Sequence, residues 1–305
     1  MENNENRNST VKKTLKHYID LELYSNGVDA DLQAILDEVT ADCEKIIESQ
    51  VSYTTKDGYS AAYRAVRDKI ESFGDTLESR LEKEAGTVKS AEETFLKKLY
   101  GATLAIGEIS LSRVLFVPVD GRDTIKTFSE RIVKNLLRSY DTSLRSGYIF
   151  AQQSKDISLQ TKLRVQQIKR GLQAGIQTAI PAVAKNTDRI IFSANSLEVV
   201  WCATLDGRTC LSCASLSGTR YKSMADAPSV PLHNRCRCVI LPSAIAGNSL
   251  PTYEEFIEEL SDDEQRQVLG KNRYELYKSG EIKLSQFVNN GKVLRLDELD
   301  SKQNI

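Results

Sequence analysis

Between positions 202 and 238 the chain gathers five of its six cysteines and one of its two histidines. Cys210 and Cys213 form a C-x-x-C pair, and His233, Cys236 and Cys238 form an H-x-x-C-x-C group 19 residues further on. Thiolates three residues apart can converge on one ion, and zinc takes four N/S donors in a tetrahedron. The candidate ligands are Cys210, Cys213, His233, Cys236 and Cys238, five donors for four places. The expected set is Cys210, Cys213, His233 and either Cys236 or Cys238. Three thiolates on Zn²⁺ leave a net negative charge, which Arg208, Arg235 and Arg237 stand close enough in sequence to offset. The same residues admit two other readings: a disulfide staple, or reduced thiols that simply pack.

Catalysis needs more than the cluster offers. A cysteine beside His233 suits a thiol hydrolase, but a metal-bound His233 leaves no nearby histidine as base, since His17 lies far upstream. A metal hydrolase needs an open coordination position and a carboxylate base. Asp206 is the one nearby candidate, and followed by Gly207 it reads as a turn residue. Ser212 and Ser215 belong to no nucleophile pattern. No complete catalytic constellation is present, and the chain reads as a non-enzyme.

The elements that must position these residues are mostly helical. The chain has 305 residues, 41 basic against 42 acidic, 27% charged, with 6 prolines and 16 glycines. Such a balance argues against a generally basic nucleic-acid binder, and so few turn formers favour long helices. No run is apolar enough for a signal or a membrane span, so a cytosolic origin without a membrane partner is expected. Residues 1–12 lack apolar anchors and read as an arm. Leu32, Ile35, Leu36, Val39, Cys43, Ile46 and Ile47 form one apolar stripe, which makes Cys43 a core residue. Ser90-Ala-Glu-Glu reads as a capping box opening a helix. Asp123 or Thr124 caps a helix that Gly147 should break. Further helix follows from about Ser158, and again from Ala174 to Ala194 with an interruption near Pro181. Between positions 120 and 170 the net charge is +6. A solvated helix face explains this, and a phosphate-facing surface is the functional alternative.

From Leu197 to Asp206 apolar and polar residues alternate as in a strand, with Trp201, the only tryptophan, as its core plug. Asp206-Gly207 turns the chain, and Arg237-Cys-Val-Ile-Leu reads as a second strand closed by Pro242. Thr252-Tyr-Glu-Glu and Ser261-Asp-Asp-Glu are capping boxes of short helices in a tail of net charge −5 between 254 and 300. The resulting expectation is an α+β protein in four parts. These are a helical region with a flexible arm (1–117), a second helical region (118–196), a Cys/His-rich β module (197–247) and an acidic tail of short helices (248–305).

The string Trp201-x-Ala-Thr-x-Asp-Gly-Arg-Thr-Cys-x-x-Cys-x-x-Leu-x-Gly, then Pro231-Leu-His-x-x-Cys-Arg-Cys, resembles the signature of phage Mu F-like minor head proteins, the head morphogenesis family. Trp201, Asp206, Arg208, Cys210, Cys213, Leu216, Gly218, His233, Cys236, Arg237 and Cys238 carry the likeness. Val119-Asp-Gly-Arg, Val268-Leu-Gly with Arg273 and Gly280, and Glu298-Leu299 extend it over roughly 118–300. Two departures stand out: Gln177-Thr178-Ala179 occupies the place of an Arg-Thr-Glu triplet, and Asn234 that of a proline. The resemblance implies a low-copy capsid component at the portal vertex, assisting procapsid assembly and DNA packaging or ejection. It implies the portal protein as partner, with scaffold, major capsid protein and packaged DNA as further contacts, and the virion interior as location.

Overall fold

The computed structural model describes residues 2–49, 55–115, 124–204, 209–246, 250, 253–289, 292–294 and 298–299. Four long helices make up most of it: α1 (Glu2–Ser49), α2 (Lys56–Tyr100), α4 (Ile125–Phe150) and α5 (Ser154–Ala194), with the short α3 (Leu111–Leu115) between the second and third. The buried residues of α2 show why it packs as it does. Ala62, Val66, Ile70, Phe73, Leu77, Leu81, Ala85, Val88, Leu96 and Tyr100 recur in steps of mostly three and four, one stripe along one face. On α1 the same holds for Leu32, Leu36, Cys43 and Ile47, each fully buried.

Cross-helix contacts give the directions. Asp31 meets Arg80 at 2.9 Å and Asp42 meets Lys69 at 3.1 Å, so α1 and α2 run antiparallel. Tyr18 meets Asp188 and Gln33 meets Lys169, so α1 and α5 are antiparallel too. Gly74 lies against Val133, with Tyr59 bonded to Asp141, and Gly147 lies against Ile157. Thus α4 runs against both α2 and α5, and the four helices close into a bundle. Among the described residues no helix is long and apolar enough to cross a membrane.

Several local expectations are corrected. The backbone is helical from Glu2, where an arm was expected. Ser90 lies inside α2 and opens no helix, because the apolar stripe runs unbroken through it. Gly147 is interior to α4, and α5 is one helix from Ser154 with Pro181 inside it. Thr124 does cap α4, bonded reciprocally with Thr127. Asp123, Val119-Asp-Gly-Arg122, Asp206-Gly207, Arg208 and Thr252 lie outside the described residues.

A three-stranded antiparallel sheet follows the bundle, in the order β2 (Arg220–Tyr221), β1 (Val199–Cys202), β3 (Val239–Pro242). All four residues of β1 are buried, so the expected alternation of inner and outer faces does not appear in it. Val200 and Cys202 are buried as deeply as Val199 and Trp201, within the core that joins sheet and bundle. The second strand begins at Val239 rather than Arg237, and β2 had no signal in the sequence. A continuous hydrophobic core joins bundle and sheet. Downstream, α7 (Ser243–Ala246) leads to α8 (Tyr253–Glu259), α9 (Asp262–Leu269) and α10 (Lys271–Lys278), then the hairpin β4 (Val288–Asn289) and β5 (Lys292–Val293). Ser261 and Glu264 form the expected capping box at α9. The fold is mostly helical α+β with a small sheet and a Cys/His cluster.

Candidate metal centre

The sheet is the frame that brings the two halves of the cluster together. Trp201 is fully buried as its central plug, and its backbone bonds Thr219 and Gly218 on the returning chain, both at 2.9 Å. Gly218 sits at φ +79, a left-handed turn that glycine adopts without strain. It folds the short helix α6 (Leu211–Ser215) back toward β1. Cys210 precedes α6 and Cys213 lies within it, with the Ala214 N–H donating to the Cys210 carbonyl at 3.0 Å. This helical turn puts both sulfurs on one side. On the other arm, the Cys236 N–H donates to the His233 carbonyl at 3.1 Å, a tight turn that aligns His233 with Cys236. Cys238 directly precedes β3, whose Val239 pairs with Cys202.

The sulfurs and the imidazole converge. His233 Nε2 lies 3.2 Å from Cys210 Sγ and 3.1 Å from Cys213 Sγ, and Cys213 Sγ lies 3.8 Å from Cys236 Sγ. Two triads result, Cys210–Cys213–His233 and Cys213–Cys236–Cys238, each with its donor atoms within 4.8 Å of one another. Either could hold a metal ion, and Cys213 belongs to both. His233 Nδ1 stands 2.8 Å from the Asn234 carbonyl. A carbonyl only accepts, so Nδ1 carries a proton, and Nε2 is the nitrogen left to bind an ion.

Without an ion, the donors share protons among themselves. The Cys213 hydrogen bond, ahead of the contact with His233, brings the Cys210 thiol down to about 4. Bonds to Cys213 and Cys238 hold Cys236 far below the thiol range. The contact with Cys210 raises His233 to about 9. Negative charge therefore gathers here, and α5 answers it. Lys185, 4% exposed, donates from Nζ to the Cys236 carbonyl at 2.7 Å and lies beside the thiols of Cys236, Cys238 and Cys213. Sequence reasoning gave the offsetting role to arginines and missed this lysine. Its signal was a cation placed directly after the apolar run 179–184. Arg237 instead pairs with Glu22 at 3.9 Å, and Arg235 reaches Gln173.

The remaining candidates lie apart. All six cysteines are free, and no disulfide links them. Cys202 and Cys43 are buried outside both triads, and burial pushes each thiol up to about 12. Ser215 donates to the Ser212 carbonyl and neither serine faces a base among the described residues. The basic stretch is partly neutralised within the bundle: Arg145 pairs with Asp141, Lys162 with Glu44 and Lys169 with Asp37. No family model matches the chain, and no curated protein or solved structure matches it significantly.

Proposed function

We propose that this chain is a minor head protein of a tailed phage, binding the portal vertex and assisting procapsid assembly and DNA packaging or ejection. One observation carries the reading: the two Cys/His groups of the signature-like string, separated by 19 residues, meet in space with Cys210, Cys213, His233, Cys236 and Cys238 in one cluster. Donors that converge in this way would form a cross-link around an ion, and a cross-linked module on a helical bundle suits a binding role. The portal protein is the proposed partner, with scaffold, major capsid protein and packaged DNA as further contacts and the virion as location.

Zinc is the proposed ion. Sulfur and imidazole donors without a carboxylate are the set that zinc favours, and thiolates about 2.3 Å from zinc stand about 3.8 Å apart in a tetrahedron. The Cys213–Cys236 separation of 3.8 Å meets that requirement. Cys210, Cys213, His233 and Cys236 would hold the ion, with Cys238 as neighbour, and the ion would supply a structural cross-link. A thiol hydrolase is the second reading, favoured by the 3.2 Å contact of Cys210 with His233. The two readings use the same pair, so metal content separates them.

The test of the virion role is sedimentation of a phage lysate with peptide mass spectrometry of the fractions. Travel of this chain with full heads at low stoichiometry is expected. A chain wholly in the soluble fraction, while the major capsid protein pellets, would sink the proposal.

A further inference from the structure

A cleft of about 800 Å³ opens between α1, α5 and the turn that carries His233 to Arg237. Glu22, Lys185 and Arg237 line it beside Arg235, with Glu22 taken up by Arg237 at 3.9 Å, and a pair of amides lies between α1 and α5. Gln177 Nε2 donates to Asn26 Oδ1 at 2.8 Å, tying α5 to α1 and leaving the Asn26 amide N–H and the Gln177 side-chain carbonyl to the cleft. Pro181 lines the same wall and has no N–H, so the Gln177 backbone carbonyl lacks its helical donor and adds another acceptor. On α1, Ile19 forms an apolar rim and is 52% exposed.

Arg235 faces these amides from the opposite side. It sits at φ +59, a left-handed conformation unusual for a residue with a Cβ. Its backbone N–H donates to Thr178 Oγ1 at 2.8 Å, which fixes the conformation against α5. Its guanidinium meets only a neutral partner among the described residues, donating to Gln173 Oε1 at 3.3 Å. The neighbouring cations are differently placed, Lys185 on the Cys236 carbonyl and Arg237 on Glu22. One preset guanidinium, amide groups spaced along a groove and an apolar rim are three complementary features of one kind of ligand.

We propose that this cleft binds an extended peptide segment of another protein. A carboxylate of the segment is received by Arg235, its backbone is bonded by the Asn26 and Gln177 amides, and an apolar side chain lies against Ile19. A guanidinium recognises a carboxylate through two parallel N–H···O bonds, and side-chain amides satisfy the backbone groups of an extended chain. Single-stranded nucleic acid fits less well. It calls for aromatic platforms on which bases stack, and the tyrosine lining the cleft, Tyr18, is 6% exposed. The inference stands apart from the virion role and is tested separately from it.

The experiment is selection of a random decapeptide library displayed on filamentous phage against the immobilised full chain, followed by binding of the selected peptides in solution. Enrichment of peptides with an acidic and an apolar residue is expected. Arg235→Gln should weaken them about tenfold or more. Ile19→Glu, on the other wall and away from the cysteines, should weaken them comparably by placing like charge at the rim. Both substitutions are at exposed positions, and unchanged melting checks the fold. No enrichment, enrichment of basic peptides, or affinity indifferent to both substitutions would overturn the proposal. So would a ten-thymidine oligonucleotide that displaces the peptides and itself loses affinity in Arg235→Gln.

Discussion

Cys213 is the one donor common to both triads, so it is the residue that joins their donors around a single ion. Cys213→Ser should therefore abolish copurifying zinc, while Cys202→Ser should leave one ion per chain; mass spectrometry of the metal content decides. A second residue-scale consequence lies within the bundle. Glu92 is fully buried on α2, 2.7 Å from His17 Nε2, and lies near the buried Asp188 on α5, which accepts from Tyr18 at 2.6 Å. Burial pushes Glu92 up to about 7 and Asp188 well above its usual range. A raised folded-state value means that the native chain holds the proton more tightly, so this contribution is complete below about pH 4.5 and is lost as pH rises through about 7. His17, lowered by burial and then held up by Asp188 and Asp20, acts in the opposite sense. Glu92→Gln should remove the acid's share, on the order of 1–3 kcal/mol. The variant should thus gain stability relative to the parent between pH 5 and pH 8.5, as read by thermal melts. An equal gap at both pH values would refute the raised Glu92 value. Glu92 was not legible as special in the sequence, because it sits at helical spacing among ordinary charged residues and only tertiary packing buries it, whereas Lys185 left a sign in its place directly after the apolar run 179–184. The Cys/His spacing, by contrast, is local and could be read directly.

At the scale of elements, close helix approach depends on glycines that sequence reasoning treats as breaks. A Cβ on Gly175 would stand 2.0 Å from Phe128 Cε2 and 2.2 Å from its Cζ, and Phe128 is itself buried on α4. Alanine favours a helix over glycine by about 1 kcal/mol. Overpacking a ring that has nowhere to move costs more, so Gly175→Ala should destabilise the bundle by about 1–3 kcal/mol net, measured by denaturant unfolding. A stabilised variant would mean that α4 and α5 can separate freely. The same physics explains which elements were legible. The stripe through Leu32, Leu36, Cys43 and Ile47 and the capping box at Ser261 are local patterns, and both are present. Ser90 mimicked a helix start because capping residues also occur on solvated faces of long helices. Pro181 mimicked a stop, but its missing N–H leaves a carbonyl at the cleft, where water can satisfy it. β2 is two residues long and carries no periodicity at all.

Across the whole molecule, α6 links two cores. Cys213 and Leu216 belong to the core shared by bundle and sheet. Leu211 and Ala214 belong to a second core with Ile257, Leu269, Tyr274, Phe287 and Leu299 of the C-terminal segment. This short helix is too small to hold itself, since an isolated turn is not stable in water. Its anchor on the bundle side is the Cys213 contact with His233 and Cys236. A metal ion at that point would fasten the C-terminal core to the rest of the chain. The bundle has its own antiparallel packing and needs no such fastening. Chelation of the metal-loaded protein should therefore expose the segment between α6 and β3 to protease first, freeing the C-terminal core. A resistant fragment ending near Asn195, the residue that caps α5, should remain. Helical circular dichroism should fall only slightly, because most helical residues lie in that fragment. Cleavage at the same rate with and without chelator would count against a metal cross-link. Simultaneous collapse of the bundle would show instead that the continuous core makes bundle and sheet one cooperative unit, with the cluster supporting both.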